Sequence, residues 1–193
     1  MKRILSTVLL IIFIATPLCG ETLGYGPLGS VQQLLGEIRQ IKPGPLEEKQ
    51  KHSQSALGLL NVAEISKKAL GKYWLKLSEK EREKFQALLG KLFVHVAFPS
   101  SAKFFAELNL VYEKTKEEKS VTVVPLTVVH EKEGEVGIDF HLIQNKNKWQ
   151  VVDVILDGVS MRNNLRSQFY KVIKKKNFDE LIRKMNKKLI ASQ

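Results

Sequence analysis

The feature that most constrains this chain is a change of hydrophobic period near residue 108. Before it, Phe85, Leu88, Leu89, Leu92, Phe93, Val96 and Ala97 recur at i, i+3, i+4, i+7, i+8, i+11 and i+12. That spacing puts every one of them on a single stripe of a helix. After it, residues 110–112, 121–130, 136–144 and 149–156 are rich in β-branched side chains. Polar connections at 113–120, 131–135 and 145–148 separate them, the pattern of an antiparallel meander of four strands. Val136, Ile138, Phe140 and Leu142 alternate with Gly137, Asp139 and His141, as in a strand with one buried face. Val151, Val152, Val154, Ile155 and Leu156 do not alternate, so this strand is predicted to be covered on both sides.

Helices are predicted on either side of the sheet. Residues 21–30 read as a Gly-rich, loose lead-in to a helix carrying Val31, Leu34, Leu35, Ile38 and Ile41. Pro43-Gly44-Pro45 stops it. Further helices follow over 46–60 and 62–70, and Gly71 stands where a helix-ending glycine belongs. Ser78 and Glu81 form a capping box ahead of the long stripe, which Pro99 is expected to interrupt, with a separate turn or two over 102–108. At the far end Ser160 caps a helix with Leu165, Phe169, Val172 and Ile173 on one face. Asn177 caps another, with Phe178, Leu181, Ile182, Met185 and Leu189 inside. The class is α+β: N-terminal helices, a four-stranded antiparallel curved sheet, then C-terminal helices.

The first twenty residues have the form of a secretory signal peptide: Lys2 and Arg3, an apolar run from Ile4 to Ala15, Pro17, and Gly20 at the cleavage position. Residues 21–193 are then expected to form one domain. The alternative is a membrane anchor, but the apolar run is about half the ~20 residues a spanning helix needs. Cys19 is the single cysteine, and Pro17-Leu18 before it fits a lipoprotein box poorly. An exported chain without disulfides must be held by its core alone. The formal charge is +11, and loss of Lys2 and Arg3 lowers it to +9. Such a surplus suits anionic partners. Outside the cytoplasm a nucleic acid is the poorest of these, and the basic runs lack interleaved aromatics for base stacking.

No strong catalytic motif is present: no His-Glu-x-x-His, no Gly-x-Ser-x-Gly, no phosphate-cradling glycine loop. His130 and His141 are placed to face each other across a hairpin, too few ligands for a zinc site. Asp139, Asp153 and Asp157 lie on or beside strands; a general base is one reading, and capping or pairing with basic neighbours is the favoured one. Lys174-Lys175-Lys176, Arg183-Lys184 and Lys187-Lys188 read as solvated helix faces, or as a docking surface for anionic lipid or protein.

The segment over 149–169 carries a more specific signal. Trp149-Gln150-Val151-Val152-Asp153-Val154, Asp157-Gly158-Val159-Ser160-Met161 and Asn163-Asn164-Leu165-Arg166-Ser167-Gln168-Phe169 follow one another. This resembles the signature of the MlaC family, the toluene-tolerance auxiliary proteins. Ala69-Leu70-Gly71-Lys72-Tyr73-Trp74 and Asn177-Phe178-Asp179-Glu180-Leu181-Ile182 are similar to two further family motifs. Leu165 stands where the family usually has Tyr, and Asp157 where it has Glu.

The resemblance implies a nuclear-transport-factor/cystatin-like roll with an apolar cavity, and no catalysis, metal or cofactor. It implies a periplasmic, monomeric carrier of phospholipid with transient membrane-surface contact. Its expected partners are an inner-membrane ABC transporter complex, through an MlaD-like subunit, and an outer-membrane lipoprotein–porin complex. On this basis the cavity wall is assigned to Phe93, Val96 and Ala97 of the long helix and to Val123, Phe140, Leu142, Val152, Val154 and Leu156 of the sheet. Val159, Met161, Leu165 and Phe169 of the corner complete it. Arg162 and Arg166 are assigned either to phosphate oxygens or to bracing the corner, with Arg166 pairing Asp153 or Asp157. The competing readings are a hopanoid-type lipid carrier, a small-pocket enzyme on a similar roll, and a protein-binding adaptor without ligand.

Overall fold

The computed structural model describes residues 26–130 and 134–192; the expected leader lies outside them. Helix α1 (Pro27–Arg39) begins inside the stretch expected to be loose, because Pro27 takes the first-turn position where a missing N–H is harmless. Its face of Val31, Leu34, Leu35 and Ile38 is buried. Arg39 donates from Nε to the Phe105 carbonyl at 3.1 Å and from Nη2 to the Leu108 carbonyl at 2.5 Å, tying α1 to the start of the sheet. Helices α2 (Leu46–Gly58) and α3 (Val62–Leu70) follow as expected, and a 3-10 turn over Gly71–Lys76 was not foreseen.

Helix α4 (Glu79–Leu92) starts on the complete capping box of Ser78 and Glu81. Replacing Ser78 with Ala is expected to cost about 1 kcal/mol in a urea titration, since the Glu81 N–H loses its acceptor. Pro99 does not interrupt the helical path. A π turn over Phe93–Ala97 leads into α5 (Phe98–Phe105), and the Phe98 N–H bonds the Phe93 carbonyl five residues back. Widening the helix directly ahead of Pro99 lets the chain pass a residue that has no N–H to offer.

The sheet has six strands rather than four. They are β1 (Asn109–Tyr112), β2 (Lys116–Glu118), β3 (Val121–His130), β4 (Gly134–Asn145), β5 (Lys148–Leu156) and β6 (Val159–Ser160). The order is β1-β3-β4-β5-β6, all antiparallel, with β2 also pairing β3 beyond β1. The two extra strands have three and two residues, too short to show an alternation. His130 pairs Gly134 while His141 pairs Val123, so the two histidines do not face each other. Among the described residues, no three His, Cys, Asp or Glu side chains converge as a metal site would require.

On one face of the sheet Val124, Leu126 and Val128 of β3 and Ile138, Phe140 and Leu142 of β4 are buried in the same core as α1. A β-bulge shifts the β4–β5 register at His141/Leu142, so that Val151 pairs Leu142 while Asp153 pairs His141. Val151, Val152 and Asp153 are therefore buried in succession. The turn Asp157-Gly158, both at positive φ, returns β5 into β6. Helices α6 (Met161–Lys175) and α7 (Phe178–Ile190) close the fold, capped by Ser160 and Asn177.

Candidate functional site

The site is built at the corner where β5 passes into α6. Asp153 is 5% exposed, and its carboxylate is fully engaged. It accepts from Ser160 Oγ at 2.7 Å, from the Arg162 N–H at 3.0 Å and from the Val154 N–H at 2.9 Å. Nη2 of Arg162 lies 3.3 Å from the same carboxylate. Ser160 Oγ in turn accepts from the Asn163 N–H at 3.0 Å. A buried anion at the first turn of a helix satisfies N–H groups that have no partner within the helix. Asp153 is thus occupied in holding the corner, which leaves it no free lone pair arrangement for proton abstraction.

Arg166 braces a different joint from the one expected. Its Nε and Nη2 donate to the Lys68 carbonyl at 2.9 and 2.6 Å, in the last turn of α3. It pairs neither Asp153 nor Asp157; Arg162 takes the first of these. Beside it the Lys72 N–H donates to the Tyr170 hydroxyl at 3.0 Å. Gly71 has φ +48°, and a Cβ there would run into that hydroxyl. Gly71→Ala is expected to lower stability by about 1–3 kcal/mol, read from the shift of a urea midpoint.

Behind this corner lie two adjoining cavities. The larger, about 410 Å³, is walled by the α4–π turn segment (Leu89, Leu92, Phe93, Val96, Ala97), by α6 (Leu165, Phe169, Val172) and by α7 (Leu181, Met185). The smaller, about 80 Å³, lies between β5 (Val151, Val152, Val154), Leu60, Ile65 and the start of α6 at Met161 and Arg162. Phe93 and Leu165 line both. Phe85 packs edge-on to Phe169, centroids 5.5 Å apart, and also meets Phe178, joining α4, α6 and α7. The larger cavity has the size of pockets that take small organic ligands, and its polar groups, Gln168, Lys184 and Lys188, are all on exposed residues. A separate groove of about 340 Å³ between α2 and α4 includes Gln54, Gln86, Lys91 and His95 in its lining, a poorer wall for an apolar chain.

Of the residues assigned from sequence, Phe93, Val96, Ala97, Val152, Val154, Met161, Arg162, Leu165 and Phe169 line one or both cavities. The structure places the others elsewhere. Phe140 and Leu142 belong to the packed core, and Val123 is buried in the sheet on the alternate face. Leu156 packs at the core margin, and Val159 is exposed. Sequence reasoning did not assign the α7 wall, although Leu181 and Met185 were visible as part of its apolar stripe.

A protein-family model named MlaC protein matches residues 30–187. The chain belongs to the MlaC family. No curated protein matches it in sequence. Among solved structures, a phospholipid-binding protein from Ralstonia solanacearum, determined in complex with a phospholipid, superposes with a TM-score of 0.70. The two are 18% identical, with 85% of this chain and 94% of that chain covered. At that identity the likeness bears on fold, and the fold is the MlaC-type roll of helices against a curved antiparallel sheet. As an MlaC protein the chain is of the general lipid-carrier kind.

Proposed function

We propose that this MlaC protein is a periplasmic phospholipid carrier that holds acyl chains between the π turn, α6 and α7. It would pass lipid between an inner-membrane ABC transporter complex, through an MlaD-like subunit, and an outer-membrane lipoprotein–porin complex. The observation that carries the reading is the apolar wall of the larger cavity around Phe93 and Leu165, whose polar groups are on exposed residues.

The physical need is plain. Each exposed methylene costs about 0.8 kcal/mol in water, so two acyl chains together face a penalty on the order of 20 kcal/mol. A carrier removes most of it with apolar wall area and needs no reactive side chain. The basic balance of the chain favours brief contact with anionic membrane surfaces. A single domain over residues 21–193, working as a monomer, is sufficient for this task.

The test is to purify the exported chain, extract it with organic solvent and identify what is released by mass spectrometry. Two-chain phospholipid in near-equimolar amount is the expected result. Hopanoid in its place would change the cargo, and a chain that carries no lipid and takes none up from vesicles would sink the carrier reading.

A further inference from the structure

The lysines of α7 divide into two sets. Leu181, Lys184, Met185 and Lys188 are spaced i, i+3, i+4 and i+7, and all four line the larger cavity. Such positions form one face of a helix, the face an amphipathic helix fills with apolar residues. Lys184 and Lys188 are exposed, so they stand on the cavity stripe where it meets solvent. Arg183 and Lys187 are exposed but are not part of that lining.

Lys184 and Lys188 are not spent on holding the described part of the fold together. Among the described residues neither forms an ion pair. Glu180, one turn before Lys184, is held by both Nε and Nη2 of Arg183 at 2.7 Å. That hydrogen bonding, with smaller contributions from Lys184 and other cations, keeps the Glu180 carboxyl below its usual range. Lys188 falls in the last turn, where a cation suits the helix dipole, but Lys184 does not. Two like charges one turn apart also repel each other slightly. A lipid whose chains lie in the cavity would leave its head at this mouth, where a phosphate can meet both ammonium groups.

We propose that Lys184 and Lys188 bind the phosphate of the lipid head group and make the carrier prefer net-anionic lipids over zwitterionic and neutral ones. This rests on the carrier reading above and goes beyond it in naming the head-group charge. Short-chain lipids that stay monomeric in water test it without a membrane. Dihexanoyl phosphatidylglycerol, dihexanoyl phosphatidylcholine and dihexanoylglycerol would be titrated by calorimetry against wild type, the K184Q/K188Q double variant and a K175Q/K187Q control, which removes two exposed lysines outside the cavity lining and leaves the Arg183–Glu180 pair in place.

The expected result is that K184Q/K188Q weakens phosphatidylglycerol binding by about tenfold, leaves dihexanoylglycerol within about twofold, and that the control changes neither. A parallel loss for all three lipids, an equal loss in the control, or no loss at all would overturn the assignment. So would displacement of phosphatidylglycerol by inorganic phosphate with dihexanoylglycerol still bound, which marks a free-phosphate site. If none of the three binds wild type, the carrier reading itself fails; binding of dihexanoylglycerol to every variant separates that failure from this one.

Discussion

Replacing Asp153 with Ala is expected to lower the unfolding free energy by about 3–5 kcal/mol. The carboxylate receives two backbone N–H groups and a hydroxyl, and faces the Arg162 guanidinium. Alanine leaves those donors in a buried corner without an acceptor and leaves Arg162 without its counter-charge. Nε of Arg162 is already buried with no hydrogen-bond partner among the described residues, so this guanidinium has little else to turn to. With typical domain stabilities of about 5–15 kcal/mol, such a loss is a large fraction of the whole. Asp153→Asn keeps the shape and part of the acceptor capacity, and should fall between wild type and Asp153→Ala. Urea titrations read both. A D153A midpoint that differs from wild type by less than about 0.5 kcal/mol would show that the corner is held by other contacts.

The second large effect is on ligand. Leu165 lines both cavities and is only partly buried. Leu165→Asp places a carboxylate against Phe93 where an acyl chain would run. Desolvating that charge under a bound chain costs several kcal/mol, so lipid occupancy should fall at least about tenfold. The free protein can keep the charge wet, and its stability should drop by less than about 2 kcal/mol. Val154→Asp probes the inner cavity in the same way. Co-purified lipid, measured against protein by mass spectrometry, decides the matter. Full occupancy in both variants would place the chains elsewhere, for instance between α2 and α4.

Local features of this fold were legible in sequence because their causes are local. The Ser78–Glu81 box, the Ser160 and Asn177 caps and the Gly71 stop all act within three or four residues. The change from helical to strand period located the sheet correctly; of the β5 run without alternation, Val151 and Val152 are buried, while Val154, Ile155 and Leu156 are only half-buried. Pro99 misled because a proline ends a regular α-helix, while a π turn before it lets the path continue. Strands β2 and β6 were missed because three and two residues carry no measurable alternation. For the site, the π turn segment and the β5–α6 corner were assigned from sequence, and the α7 wall was not.

Sequence alone determined the class of the protein, the order of its longer helices and strands and the motif over residues 149–169. Each of these depends on neighbours in the chain or on a short ordered string of side chains. Tertiary structure decided which apolar residues border a cavity. Phe140 and Phe93 look alike in a hydrophobicity profile, yet one is sealed in the core while the other, stacked on Phe98, also lines both cavities. It also decided that Arg166 reaches the Lys68 carbonyl, 98 residues away, while Arg162 takes Asp153. A cavity is the volume that packing fails to fill, so it becomes visible only once every other contact is in place.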